Sequence, residues 1–336
     1  SMKIKSAIIL AGSLLFLLTP TLALTEESLP KLFILGATEG TGTYFEITDS
    51  EYLNIFLQSS KEINVILESV PKTISFIIEA SSVSNSTTLT LNNLEPNKTY
   101  YKYQDSYKNE TIITSSPSGT YVFTQDLTQS HHIWFQEIRG SVFIPEDCST
   151  YGIWDEATST CTLTQDLNQS VEMTTSSITL NCNGHKITGT DTGYGIYLNR
   201  KSGVTIRNCA VNNFSYGIYF FVSSNTTLDN NVADSNSYCG IYANGFNNSL
   251  SNNTTINNYL GITVSSINSV FDNNISSNND YGLRVYAGGG NTFTNNRMFD
   301  NKYNFYLEGA SDPDFYSNID TSNTVDGKPI YYIKNA

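Results

Sequence analysis

The sequence predicts an all-β protein, in which a small antiparallel β-sandwich precedes a parallel β-solenoid with about 22 residues per coil. Short alternating apolar and polar runs, separated by Gly, Pro, Asn and Ser, indicate antiparallel strands in the N-terminal third. In the C-terminal half, glycine and asparagine markers recur every 21 to 23 residues. The repeats are rich in Asn, Ser, Thr, Val, Ile and Tyr, which favours strands and turns over helices.

Residues 1–23 have the pattern of a secretory signal peptide. Two lysines precede an apolar run from Ala7 to Leu18, and small residues at positions 21 and 23 fit a cleavage site. The run is shorter than the about 20 apolar residues that span a membrane, so the mature chain is predicted to have no transmembrane span. We therefore expect a protein that is secreted, periplasmic or at the cell surface.

Residues 31–126 contain the runs that predict the β-sandwich, among them "INVILESV", "TTLTLNNL" and "GTYVFTQD". The phrase "LEPNKTYYKYQD" resembles a fibronectin type III domain, in which a Leu-x-Pro turn leads into a Tyr-rich strand. Leu94, Pro96 and Tyr100 carry this resemblance. It implies a spacer or adhesion module.

Residues 127–173 are predicted to form a junction that contains a disulfide loop. Cys148 and Cys161 flank a loop with a Gly and a Trp, which makes them the favoured pair in an exported protein. Cys182 and Cys209 lie one repeat apart and can also pair, which leaves Cys239 over. No CxxC or His-x-His spacing indicates zinc, so we predict neither a metal site nor a cofactor.

Residues 174–336 carry the repeat. The glycine marker is Gly195, Gly217, Gly240, Gly261 and Gly282. Residues two apart share one face of a strand, so the apolar positions one and three residues after each glycine are predicted to stack in the core. These positions hold, in coil order, Ile196, Ile218, Ile241, Ile262, Leu283 and Phe305, and Leu198, Phe220, Ala243, Val264, Val285 and Leu307. A second strand contributes Ile206, Leu228, Leu250, Phe271 and Phe293.

Asparagines occupy the turns of the predicted coils. One column is Cys209, Asn231, Asn253, Asn274 and Asn296, and another is Asn213, Asn236, Asn258, Asn279 and Asn301. Asn tolerates left-handed backbone geometry, and its amide can bond its own image in the next coil. We therefore interpret these asparagines as turn chemistry rather than as a binding motif.

The charge balance bears on the partners. The formal net charge is −13 with a pI of about 4.6, and only 15% of residues are charged. Without a basic patch to replace counterions on phosphates, nucleic acid is not a predicted partner. A surface rich in Tyr, Asn, Ser and Thr suits an extracellular protein that contacts sugars.

Several phrases identify a family resemblance. "ITLNCNGHKITG", "YGIYL", "VTIRNCAV", "YGIYF" and above all "NTVDGKPIYYIKN" resemble the NosD-like right-handed parallel β-helix family, over roughly residues 161–336. The resemblance implies a three-sheet right-handed β-helix, export and often a carbohydrate-related role. The family is named for a factor in copper-site maturation, but no Met/His/Cys cluster here supports copper handling. In such proteins the "GKPIYY" phrase tends to precede further sequence, so we expect a piece of a longer protein.

One column between the two core columns is predicted to point outward. It reads Tyr197, Tyr219, Tyr242, Thr263, Arg284 and Tyr306. Stacked tyrosines offer a platform to the sugar rings of a polysaccharide or cell-surface glycan, and Arg284 can reach acidic groups. The alternative is a purely structural tyrosine ladder, covered by a loop or by the sandwich.

Catalysis is the competing function. A glycoside hydrolase needs two carboxylates about 5–10 Å apart. Asp229 and Asp272 share a column but lie two coils apart, and His185 lacks the usual companion residues. We predict no catalytic residues and favour a non-catalytic carbohydrate-interacting or structural, adhesive module. The alternative is a polysaccharide lyase or glycoside hydrolase, and exposed coil ends would allow self-association.

Overall fold

The computed structural model contains two compact units, Ser1–Arg139 and Gly140–Ala336. It describes residues 3–7, 23–24, 37–48, 55–70, 73–81, 85–137, 140–286, 288–309 and 312–333. Of the predicted signal peptide, residues 1–2 and 8–22 lie outside this range. Within it, no helix has the length and apolar character needed to span a membrane.

The N-terminal unit is antiparallel, as predicted. Its strands are Lys3–Ala7, Ala23–Leu24, Ala37–Thr48, Ile55–Val70, Thr73–Ala80, Ser86–Asn92, Thr99–Gln104, Glu110–Thr114, Tyr121–Asp126 and His131–Gln136. Phe76, Leu89 and Phe135 come from three of these strands and belong to one buried cluster. Strand His131–Gln136 pairs with Thr73–Ala80 and Thr99–Gln104, so this unit extends into the predicted junction.

The turn "LEPNKTY" has a defined contact. Leu94 and Tyr100 are buried, and the backbone N–H of Glu95 donates to the Tyr100 hydroxyl over 3.2 Å. A buried tyrosine whose hydroxyl bonds the backbone a few residues upstream is the tyrosine corner of immunoglobulin-like sandwiches. The fibronectin type III assignment stays a prediction, and this contact supports it.

In the described residues, the C-terminal unit is a solenoid built from three sheets. The first solenoid sheet contains Ser141–Ile144, Ser170–Met173, Tyr194–Asn199, Tyr216–Phe221, Ser223–Ser224, Cys239–Phe246, Leu260–Ile267, Tyr281–Tyr286 and Tyr303–Glu308. The second contains Gly152–Asp155, Thr160–Leu163, Thr179–Asn181, Thr205–Arg207, Thr227–Asp229, Ser249–Ser251, Val270–Asp272, Thr292–Thr294 and Asn318–Ile319. The third contains Lys186–Thr188, Ala210–Asn212, Val232–Asp234, Thr254–Ile256, Ile275–Ser277, Arg297–Phe299, Thr324–Val325 and Lys328–Pro329.

Two short helices, Cys148–Tyr151 and the 3₁₀ helix Asp312–Phe315, interrupt the strands of this unit. Strands Ser141–Ile144 and Ser170–Met173 already pair in parallel in the first solenoid sheet. Strand pairing therefore divides the predicted junction, residues 127–173, between the two units. The solenoid begins upstream of residue 174.

The predicted core columns are confirmed. Ile196 lies in register with Ile218, which lies in register with Ile241, and both columns face the buried cluster. The second-strand column is likewise buried, with Phe271 stacked on Phe293 at a centroid distance of 4.8 Å. Each coil thus places the same kind of side chain above its counterpart.

The asparagine ladder is also confirmed. The side-chain oxygen of Asn253 accepts from the backbone N–H of Asn231 (3.1 Å) and from its amide nitrogen (3.0 Å). The amide nitrogen of Asn253 in turn donates to the Asn274 side-chain oxygen over 3.0 Å. The ladder runs from the Cys209 backbone to Asn323. These bonds satisfy polar groups that the coil turns bury.

The second asparagine column needs one correction. The backbone N–H of Phe214 donates to the Asn236 side-chain oxygen, so Phe214 and not Asn213 holds the ladder position. Asn213 instead adopts a φ of 57°, as does its counterpart Ser235 at 54°. In this part of each coil, the residue with left-handed backbone geometry directly precedes the residue of the buried ladder. The spacing of the asparagines alone did not distinguish these two neighbouring positions.

Both predicted disulfides are present, Cys148–Cys161 and Cys182–Cys209. Cys239 is buried and forms no disulfide. Cys209 occupies the asparagine-ladder position of its coil, where it bonds covalently to Cys182 of the preceding coil. A disulfide thus takes the place of side-chain amides at the N-terminal end of the ladder.

Removal of this crosslink, in the double variant Cys182→Ala/Cys209→Ala, is expected to lower the free energy of unfolding by about 3 kcal/mol. The bond closes a loop of 27 residues, and the loss of chain entropy on crosslinking such a loop has about this magnitude. Urea denaturation would measure the change, with Cys239→Ala as a control that removes a buried thiol but no crosslink. A double variant as stable as the control would contradict the prediction.

Candidate functional site

The outer face of the first solenoid sheet carries a tyrosine ladder. Tyr197 stacks on Tyr219 at 5.9 Å, and Tyr219 stacks on Tyr242 at 5.0 Å, with ring planes within 15° of each other. None of these residues belongs to the core cluster, so the column points outward as its alternation with core residues predicts.

The ladder is not exposed along its whole length. Tyr197 and Tyr219 are 0% exposed, which corrects the expectation that they form an open platform. Part of the cause is local, because Tyr194 and Tyr216 share this face. Their ring centroids lie 4.6 and 4.8 Å from that of Tyr219. The N-terminal rungs are therefore a packed aromatic cluster.

Sequence reasoning missed Tyr194 and Tyr216, because simple alternation puts them on the core side with Ile196 and Ile218. The glycine that follows each of them breaks the alternation. A Cβ built on Gly195 would lie 2.4 Å from the Val211 side chain, so this position faces the interior. The glycine near the start of each strand was the sequence signal that could have predicted this break in the alternation.

At the C-terminal end, the same column contains an arginine. Arg284 is 5% exposed and donates from its Nη2 to Glu308 Oε2 over 3.1 Å. Its guanidinium lies 4.8 Å from the ring centroid of Tyr286. Among the described residues, its Nε is buried and has no hydrogen-bond partner. A buried donor without an acceptor costs free energy, so the arrangement around Arg284 is not explained by packing alone.

Tyrosines surround this ion pair. Burial raises the pKa of Tyr281 to about 12, and burial also raises the pKa of Tyr306. Both hydroxyls therefore stay protonated at neutral pH and can donate hydrogen bonds. Tyr303, which stacks on Tyr281 at 4.8 Å, is exposed, and Tyr306 is half-buried. Tyr242 is also half-buried.

The carboxylates considered for catalysis have structural partners. Asp229 accepts hydrogen bonds from Ser251 (2.9 Å) and Asn252 (2.8 Å). Thr294 and Asn295 bond Asp272 in the same way and lower its pKa. These contacts are rungs of a polar ladder along the second solenoid sheet.

His185 also has a local partner. Its Nδ1 lies 3.0 Å from Asp166 Oδ1, and the same carboxylate oxygen accepts the backbone N–H of Lys186. The two bonds lower the pKa of Asp166. The pair fixes the turn that leads into strand Lys186–Thr188.

Stacked coils that form three sheets of mostly parallel strands, with core columns and internal ladders, define a parallel β-helix protein. Residues 132–331 match the family described as "Periplasmic copper-binding protein (NosD)". The match covers more than half of the chain, and the chain belongs to this family. The resemblance inferred from its sequence phrases is confirmed. None of the curated proteins compared with the chain matches it.

Three solved structures share a weaker likeness. One is a GH87 alpha-1,3-glucanase catalytic domain in complex with tetrasaccharides, at 13% identity and a TM-score of 0.40, with 78% of this chain and 62% of that chain covered. The Agl-KA catalytic domain follows at 12% identity and a TM-score of 0.25, covering 86% and 74%. A further GH87 alpha-1,3-glucanase, in complex with nigerose, has 14% identity and a TM-score of 0.25, covering 71% and 63%.

The family description raises the question of copper. In the described part of the chain, no group of three or more His, Cys, Asp and Glu side chains could hold a metal ion. Disulfides occupy four cysteines, and burial raises the pKa of the Cys239 thiol to about 12. His131 Nδ1 is bonded to Asp105, and the His132 ring lies 2.9 Å from Ser75 Oγ. These donors do not fit a copper site, which needs convergent soft or imidazole ligands.

Proposed function

We propose that this NosD-family protein is an exported β-helix module that binds neutral carbohydrate at the C-terminal end of its tyrosine face. The observation that carries the proposal is the buried Arg284–Glu308 pair set among partly accessible tyrosines. An arginine can donate hydrogen bonds to sugar hydroxyls, and a glutamate carboxylate can accept hydrogen bonds from them. Aromatic rings supply the apolar surface against which a sugar ring can pack.

The charge of the site favours neutral over acidic glycans. Arg284 was expected to reach acidic groups, but Glu308 neutralises it at 3.1 Å. The chain as a whole carries a formal charge of −13, which repels polyanions. A uronate would have to displace Glu308 and leave that carboxylate without its partner, which is costly in a nearly buried site.

A binding role also agrees with the state of the carboxylates. A glycoside hydrolase needs a general acid with a raised pKa, whereas hydrogen bonds lower the pKa of Asp272. The hypothesis of a lyase or hydrolase therefore stays the second candidate function, and no specific contact among the described residues favours it.

A glycan array should show binding to neutral glycans, with weaker or no binding to uronate-containing ones. Replacing Tyr306 with Ala removes a partly exposed ring from the face and should weaken binding about tenfold, the order of one aromatic contact. Tyr331→Ala is the matched control, because Tyr331 is 77% exposed and belongs to no strand of the first solenoid sheet. Its binding should equal that of the parent protein.

A product assay on the same glycans separates the alternatives. New reducing ends or unsaturated products would overturn the non-catalytic proposal in favour of a hydrolase or lyase. Absence of binding to every glycan would favour a structural, adhesive module, for which self-association through the coil ends predicts a concentration-dependent mass by size-exclusion chromatography. Preferential binding to uronates would contradict the role assigned to Glu308.

A further inference from the structure

A column of residues begins at the last residues of strands Cys239–Phe246 and Leu260–Ile267 of the first solenoid sheet and continues into the next two coils. Phe246 pairs in register with Ile267, and both are exposed. The backbone N–H of the residue after each column member bonds the carbonyl of the next member. By this pattern Asn268 N–H donates to Gly289 O, and Gly290 N–H donates to Tyr316 O. The column therefore reads Phe246, Ile267, Gly289, Tyr316.

Gly289, the third member of this column, lines an open cavity of about 490 Å³. Ile267, Pro313 and the ring of Tyr316 supply apolar surface, and Ser265, Asn268 and Asp314 supply polar groups, around a floor formed by Gly288, Gly289 and Gly290. Tyr316 is 57% exposed. The volume lies within the about 300–1,000 Å³ of small-ligand pockets.

The glycine floor is required by close packing. A Cβ on Gly289 would lie 2.0 Å from Pro313 O, and one on Gly288 would lie 2.2 Å from Ser266 O. The N–H of Gly288 also donates to Asp314 Oδ1 over 3.1 Å, which fixes the orientation of that carboxylate beside the cavity. The cavity is thus lined by closely packed backbone.

We propose that this cavity is a second binding site, which takes a single neutral sugar ring. The ring would stack on Tyr316, as an amphipathic ligand does on an exposed phenol, while its hydroxyls bond the Asp314 carboxylate, the Ser265 hydroxyl and the Asn268 amide. The carboxylate and the negative chain exclude anionic ligands. Neither the ladder tyrosines nor the Arg284–Glu308 pair line this cavity, so this site and the proposed function can fail separately.

Saturation-transfer NMR on the full chain tests the proposal with methyl glycosides of glucose, galactose, mannose and N-acetylglucosamine at millimolar concentration. At least one glycoside should receive transfer from the parent protein, from Tyr306→Ala and from Tyr331→Ala. Tyr316→Ala should weaken its binding about tenfold. Ile267→Asp, which adds a second carboxylate at an exposed cavity wall, should do the same without lowering the thermal midpoint.

Absence of transfer to all four glycosides would overturn the inference. Transfer that is lost in Tyr306→Ala but kept in both cavity variants would also overturn it, while supporting the tyrosine face as the site. Loss in both cavity variants with retention in Tyr306→Ala supports it.

Discussion

Replacing Asn253 with Ala is expected to lower the free energy of unfolding by about 4 kcal/mol, at about 1 kcal/mol for each buried hydrogen bond lost. The Asn253 side chain accepts two bonds from Asn231, and it donates to Asn274 and to Leu228 O over 3.0 and 3.1 Å. After truncation the buried backbone N–H of Asn231 has no acceptor. Urea denaturation followed by circular dichroism would measure the loss.

The neighbouring asparagine provides the matched control. Asn252 is exposed and has a φ of 58°, which glycine adopts without strain. Asn252→Gly removes one exposed amide and should cost no more than about 1 kcal/mol. Equal losses in the two variants would show that the internal ladder contributes no more than the turn does, contrary to the prediction.

The coil period made the interior of the solenoid predictable. In stacked parallel coils each residue lies above its counterpart, so an apolar or asparagine column in the sequence becomes a column in space. Phe271 under Phe293 and Asn253 under Asn274 both follow from spacing alone. The ladder beyond Asn296 does not, because its last step to Asn323 spans 27 residues.

The outer face was predictable only in part. Alternation tells on which side of a sheet a residue lies, and it placed Tyr219 correctly outside the core. It cannot tell what packs on that side, and the tyrosines at 194 and 216 bring further rings onto Tyr219. Exposure depends on neighbours in three dimensions, and the sequence pattern does not encode them.

The cavity beside Tyr316 was not predicted from the sequence for a related reason. The run of glycines at 288–290 interrupts a column that is otherwise apolar, and this signal was present in the sequence. Tyr316, the next residue of this column, lies in a longer coil that contains the 3₁₀ helix Asp312–Phe315. A fixed 22-residue step therefore does not place Tyr316 above Gly289.

Replacing Phe271 with Ala is expected to destabilise the protein by about 4 kcal/mol, the usual range for emptying a buried phenylalanine site. Phe271 is fully buried in the second-strand column, between Leu250 and Phe293. Its ring stacks on Phe293 at 4.8 Å with an interplanar angle of 11°, and this contact is lost with the ring. Stacked coils leave little freedom to collapse into the cavity, because the strands are hydrogen-bonded on both sides.

Two variants of the same strand test this reasoning by urea denaturation. Phe271→Leu keeps most of the volume and should cost less than about 1.5 kcal/mol. Val270→Ala truncates the adjacent residue, which is 43% exposed, and should change the stability by about 0.5 kcal/mol or less. If Phe271→Ala cost no more than Val270→Ala, the second-strand column would not be a packed core. A large loss in Phe271→Ala, with only small losses in Phe271→Leu and Val270→Ala, would show that side-chain volume in this column stabilises the coils above and below it.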